Sequence, residues 1–208
     1  MTQAGDATEA GVISGMARLV PVQKRSRERF ERILTCAEEL LLEKGSDGFK
    51  MSDIVERTGV PFGSLYQYFP DKTAIIGTLA ERYNAQGQAC VAGILQGFHQ
   101  PADLPEVLGQ LAQGFYGIYQ ERPVTQAIWQ ATQADPILQA LDAQDCAGLS
   151  AQLAEALLRV GESAGEAGLR AGLLIALIGA AVRHAITLPE AEGRATLAEF
   201  QRLLAGQG

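Results

Sequence analysis

The sequence predicts an all-α protein, and three observations carry that expectation. Apolar residues recur at helical spacing along nearly the whole chain. No stretch shows the every-second-residue alternation of a half-buried strand, and proline, glycine and capping acids punctuate the chain about once per helix length. The 208 residues are enough for a sizeable core, and 47% of them are hydrophobic, as in a folded globular protein.

The elements follow in order. Residues 1–20 are rich in Gly, Ala and Thr without periodicity and read as a disordered tail. From Ser26, the residues Phe30, Ile33, Leu34, Ala37, Leu40 and Leu41 form one apolar stripe, which Gly45 ends. A short helix with Met51, Ile54 and Val55 on one side stops at Gly59, where a tight turn needs a residue tolerant of left-handed backbone. A second short helix starts at Pro61, whose missing N–H costs nothing there. On it Phe62, Leu65 and Phe69 are expected to share the buried face, with Tyr66 at its edge, leaving Gly63, Ser64, Gln67 and Tyr68 outward. One helix followed by two short ones joined through a glycine turn has the layout of a helix-turn-helix.

Pro70 stops the second short helix, and Asp71 is placed to cap the next, which runs through Leu79, Tyr83, Val91 and Ile94 toward Phe98. Asp103 and Glu106 read as a capping box opening a helix with Leu104, Leu108, Leu111, Phe115 and Ile118, ended by Pro123. Helices are expected over 125–133 and 136–160, the second with a break near Cys146 and Gly148. Ser163 and Glu166 form another capping box, for a helix over 163–187, and Pro189 opens a last one through Leu197, Phe200, Leu203 and Leu204.

The 163–187 helix is apolar on two sides. Leu169, Leu173, Ala176, Leu177 and Ala180 lie on one, and Leu174, Ile175, Ile178, Val182 and Ile186 on another. Such a helix must be covered nearly all round. Its ends are too charged for a comfortable membrane span, so one face is expected on its own domain and the other, with the final helix, on a second copy of the chain. Gly172, Gly179, Ala180 and Ala181 permit close backbone approach.

Composition excludes much. Cys36, Cys90 and Cys146 are widely spaced and form no CxxC pair, which suggests a reducing, cytoplasmic setting without disulfides or a zinc site. The first residues lack a charged segment followed by an apolar one, so no secretion signal or membrane partner is expected. His99 and His184 are the only histidines, and GxSxG, Walker, GxGxxG and HExxH motifs are missing, so no catalytic site, metal or cofactor is expected. The net charge of −7 argues against nucleic acid only as an average. Residues 18–72 hold ten basic and nine acidic residues, six of the ten within 18–32, whereas the chain from 73 onward holds seven basic and thirteen acidic.

Against that background "GVPFGSLYQYFPDK", residues 59–72, asks for an explanation. Glycine inside a helix costs about 1 kcal/mol relative to alanine, so Gly63 on an outward face needs a reason. DNA pressing on that face would exclude a Cβ, Tyr66 and Tyr68 could donate to phosphate, and Ser64 and Gln67 could reach base edges. Lys72 adds a charge beside the next helix. The candidate DNA contacts are Lys50, Ser52, Pro61, Phe62, Gly63, Ser64, Tyr66, Gln67, Tyr68 and Lys72.

The segment "SDIVERTGVPFGSLYQYFPDKTAII" resembles the DNA-binding segment of the TetR family of transcriptional regulators, through Asp53, Ile54, Gly59, Val60, Gly63, Leu65, Tyr66, Tyr68, Phe69 and Lys72. The likeness covers about residues 25–79; beyond it only the architecture is similar. It departs from the usual pattern at Lys50, where Thr is common, and at Pro61, where Ser is common. Phe62 is apolar where a polar residue would read bases. The resemblance implies a ligand-responsive repressor that binds a double-stranded DNA operator as a homodimer, with residues 21–72 as the DNA-binding domain and 73–208 as the effector-binding and dimerisation domain. Phe98, Phe115, Tyr116, Tyr119 and Trp129, packed with Leu173 and Leu177, are candidates for the pocket of a small apolar effector. With Arg122 and Arg183 facing the region, that effector is expected to be neutral or weakly anionic rather than a multivalent cation. The competing reading, a helical protein-interaction module without DNA binding, explains the apolar 163–187 helix but not Gly63, Tyr68 and Lys72 together.

Overall fold

The computed structural model describes residues 16–17 and 21–206. Among them are nine α-helices and no strand: α1 (Lys24–Gly48), α2 (Met51–Thr58), α3 (Phe62–Tyr68), α4 (Lys72–Leu95), α5 (Leu104–Glu121), α6 (Val124–Ala134), α7 (Pro136–Arg159), α8 (Ala164–Ala185) and α9 (Glu190–Leu204). A 3₁₀ turn, Pro101–Asp103, precedes α5. The expected tail lies outside the described residues except for Met16 and Ala17, which pack against the first core.

Local chemistry sets most of the boundaries. Gly45, at φ 69° and ψ 175°, breaks α1 and leaves one further turn beyond it. Gly59 ends α2 at φ 68°, and its N–H donates to the Val55 carbonyl. The Asp71 carboxylate accepts from the Ala74 N–H, 2.8 Å away, and caps α4. Three expectations need correction. Ser163 accepts from no N–H at the start of α8; its hydroxyl donates to the Glu166 carboxylate, 2.6 Å away. Asp103 does not cap α5; it accepts from the Gln100 backbone N–H and side-chain amide, so the box closes one turn earlier, on the 3₁₀ turn. α7 runs unbroken through Cys146 and Gly148, because Gly148 lies against the Gln88 side chain of α4 and the neighbouring Leu149 and Leu153 are buried.

The helices enclose two cores. The first joins Phe30, Ile33, Leu40, Phe49, Leu65 and Phe69 of the helix-turn-helix to Ile75, Ile76 and Leu79 of α4 and to Ile128 and Leu138 beyond it. The second joins Val91 and Leu95 of α4 to Leu108, Leu111 and Tyr116 of α5, Leu153 and Leu157 of α7, and Ile175, Ile178 and Val182 of α8. The expected division between residues 72 and 73 falls at the start of α4, which contributes one half to each core. Residues 74–80 are all buried, so this part of α4 is covered on every side.

The structure resolves the two sides of α8. Leu174, Ile175, Ile178 and Val182 are buried, whereas Leu169, Leu173 and Leu177 are 80%, 61% and 41% exposed and Ala176 and Ala180 are exposed beside them. By length and composition α8 could cross a bilayer, but its inner side belongs to the second core.

Candidate DNA-binding face and effector cavity

Helix α3 is held from behind by Leu65, which is fully buried against α1 and α2 together with Val60 and Ile54. Its outward surface carries Pro61, Phe62, Gly63, Tyr66 and Gln67, all exposed, with Ser64 half-buried; Lys50 and Ser52 are exposed at the start of α2. A Cβ on Gly63 would meet nothing within 4 Å, so no internal packing requires glycine there.

Two aromatic assignments reverse. Phe62, expected in the core, is 46% exposed and stacks on Tyr66, with ring centroids 6.1 Å apart. Tyr68, expected outward, is 3% exposed. Its ring meets Phe30 edge-on at 5.7 Å and its hydroxyl lies 2.6 Å from Ser26 Oγ. Tyr68 is therefore a core residue that ties the end of α3 to the first turn of α1. Phe69 completes the cluster by stacking on Phe30 at 4.9 Å. Lys72 is also less free than expected: its ammonium donates to the Ser46 carbonyl and lies 5.4 Å from the centre of the Phe49 ring, bracing the α1–α2 connection against α4.

Charge pairing sorts the basic residues of this half. Arg57 pairs with Glu43, Lys44 with Asp53 and Arg82 with Glu31. These pairs hold the helices together: the Lys50 backbone N–H and the Lys44 ammonium depress the Asp53 carboxyl, and the Arg57 guanidinium depresses that of Glu43. Lys24, Arg25, Arg27, Arg29, Arg32 and Lys50 enter no ion pair among the described residues. The Ser26–Tyr68 contact sets the first turn of α1 beside the end of α3.

A cavity of about 360 Å³ opens in the other half, between α4, α5, α6, α7 and α8. Phe115, Tyr119 and Trp129 line it as expected. Phe98 and Tyr116 do not; both are buried in the second core. Leu173 and Leu177 do not line it either, because they point outward from α8, and Arg122 also lies outside its walls. Arg183 does line it, its guanidinium 5.4 Å from the Trp129 ring centre. Sequence reasoning missed Tyr83 of α4 and Asp142, Asp145 and Cys146 of α7. The three α7 residues share one side of that helix at helical spacing, and that side was legible only once the helix proved continuous. Burial pushes the Asp145 carboxyl up, against an amide donated by Gln88 at 2.7 Å. Burial also pushes the Tyr119 phenol up to about 12, so it remains a neutral donor.

A helix-turn-helix on an all-helical body that carries an internal cavity and an unpartnered apolar helix face defines a DNA-binding transcriptional regulator. Residues 33–79 match the family of bacterial regulatory proteins of the tetR type, and residues 102–207, half of the chain, match the tetracyclin repressor-like C-terminal domain. The chain belongs to the TetR family. It is 36% identical over 74 residues to YvdT, an uncharacterised HTH-type transcriptional regulator of Bacillus subtilis (strain 168); the match spans 36% of this chain and 38% of that regulator's length. Its fold is similar to that of a TetR-family regulator from Syntrophomonas wolfei (TM-score 0.66, 19% identity, covering 86% of this chain and 95% of the other). It is likewise similar to SmeT in a complex with triclosan (TM-score 0.66, 14% identity, covering 85% and 91%).

The Tyr68 geometry yields a test. Replacing Tyr68 with Phe keeps the ring and removes the hydroxyl bridge, so urea unfolding should show a loss of about 1 kcal/mol. The salt dependence of DNA binding should stay that of the wild type, since a core hydroxyl touches no phosphate; a flatter slope would return Tyr68 to the DNA face.

Proposed function

We propose that the protein is a cytoplasmic, ligand-responsive repressor that binds its operator as a homodimer, with residues 21–72 as the DNA-binding domain and 73–208 as the effector and dimerisation domain. The observation that carries the DNA contact is the outward side of α3, where a glycine with open space around it sits among exposed Phe62, Tyr66 and Gln67. Major-groove docking explains each. Gly63 lets the helix approach the backbone closely, Gln67 and Ser64 are positioned for base edges, and the Phe62–Tyr66 pair offers an apolar surface of the kind that meets thymine methyl groups. Lys50, Ser52 and the unpaired cations of α1 would supply phosphate contacts.

Dimerisation is assigned to the outward stripe of α8 together with α9, where Leu203 is 61% exposed. A contiguous row of exposed leucines flanked by Gly172 and Ala180 is costly to leave in water and suits close helix packing. The two recognition helices would then meet half-sites about 34 Å apart. The cavity is assigned to a small, mainly apolar effector, and α4 to the coupling, because it carries the helix-turn-helix at one end and lines the cavity with Tyr83, Asn84 and Gly87.

Gly63→Ala separates DNA binding from folding. The folded state should gain up to about 1 kcal/mol from helix propensity while operator affinity falls. Equal affinity would remove the close backbone approach. Lys50→Ala should lower the slope of log K against log[salt] by about 0.9 for each phosphate that a subunit no longer neutralises. Replacing thymine by uracil across a selected operator should weaken the wild type more than Phe62→Ala.

The seam has its own test. Wild type should sediment as a dimer at micromolar concentration, and Ala180→Glu, which adds a charge on the exposed side, should give a folded monomer. Ile178→Glu, on the buried side, should instead lower thermal stability. A wild-type monomer would overturn the assignment.

A further inference from the structure

The cavity carries a charge arrangement that the aromatic residues alone do not suggest. Asp142 and Asp145 both line it from α7, and neither enters an ion pair among the described residues. Each is held by a neutral amide instead: Gln133 Nε2 donates to Asp142 at 3.2 Å and Gln88 Nε2 to Asp145 at 2.7 Å. Gln88 is in turn fixed by Gln152, whose amide donates to it at 3.3 Å from deeper in α7. The charge felt most by Asp145 is that of Asp142, a like charge, with no cation among its perturbing neighbours. The cavity's one basic side chain, Arg183, comes from α8 and rests over the indole of Trp129. Asp145 loses hydration on this largely apolar wall and faces the like charge of Asp142, and both costs fall when a single positive charge enters.

Resting on the reading of this cavity as the effector site, we propose that its effector is an organic monocation: an apolar body among Phe115, Tyr119 and Trp129, with one quaternary or protonated nitrogen directed at Asp142 and Asp145. This replaces the neutral or weakly anionic molecule expected from Arg122 and Arg183, since Arg122 lies outside the cavity and Arg183 is outnumbered. Aromatic faces attract an alkylammonium as the carboxylates do, so Tyr83 and Tyr119 reinforce the same preference. The body excludes a hydrated metal ion, because most of the lining is hydrocarbon.

Calorimetric titration of the full chain with three probes of one shape class tests this: (1-naphthylmethyl)trimethylammonium, its uncharged isostere 1-neopentylnaphthalene, and 1-naphthylacetate. The ammonium should bind roughly tenfold or more tighter than the isostere. The Asp142→Asn, Asp145→Asn double variant should lose that advantage while binding the isostere as before. The comparison on wild type stands even if the variant folds poorly. Equal affinity for ammonium and isostere overturns the proposal, as does tightest binding of the carboxylate with its loss in Arg183→Gln; both leave the cavity as the effector site. If none of the probes binds, the assignment of the cavity itself fails and the proposal with it.

Discussion

The structure depends on one constraint: residues 74–80 of α4 are buried on every side. A helix normally keeps one face in water, and this one has none over two turns. α1 packs on one flank and α6 with the start of α7 on the other, and Met16 closes over Gly77, where any Cβ would collide with the methionine side chain. A segment enclosed in this way cannot rotate or slide without opening a cavity, at a cost of several kcal/mol. The helix-turn-helix is therefore not a loosely tethered reading head. It is bolted to α4 through the first core, and the Lys72 ammonium on the Ser46 carbonyl is the outermost bolt.

That enclosure decides which groups remain for a partner. Inward-facing Tyr68, Phe69 and Phe30 make the aromatic cluster that fixes α3 to α1, and the acidic residues Glu31, Glu43 and Asp53 are occupied with Arg82, Arg57 and Lys44. Among the described residues of this half, the cations that enter no ion pair lie along the first half of α1, at Lys50 and at Lys72, the last of which is held on the Ser46 carbonyl. An acidic protein thus keeps a cationic margin, because its basic residues cluster at the start of α1 and those further along are mostly paired, and its acidic remainder discourages non-specific wrapping by nucleic acid.

Much of this was legible from residue order. Helix count, the glycine breaks at Gly45 and Gly59 and the two sides of α8 follow from periodicity and backbone preference, which act locally. The Phe62 and Tyr68 reversal shows where that reasoning stops. Both lie three residues from buried Leu65, about 60° to either side of it on a helical wheel, so periodicity cannot choose between them. The choice is made by α1, whose Phe30 and Ser26 stand on the Tyr68 side. Phe69, counted as a third member of the stripe, has extended backbone at φ −128° and reaches the core from beyond the helix end. The cavity was half legible for a similar reason. Aromatic residues mark it in sequence, but Asp142 and Asp145 look like ordinary surface acids until α7 turns them toward α4 and α8.

The cavity's position then bears on how an occupant could act. Its walls come from α4, which carries the helix-turn-helix, and from α8, whose opposite side is the exposed leucine stripe. Under the proposed reading, one molecule touches both elements that set the separation of the recognition helices in a dimer. It shifts that separation only by the difference in its affinity for the two arrangements, and a tenfold change in operator affinity needs about 1.4 kcal/mol of such difference. Displacement of Arg183 from the Trp129 face is of that order. Residues 74–80 of α4 cannot absorb such a difference by local repacking, so under that reading a tilt would pass to the helix-turn-helix as the movement of one rigid body.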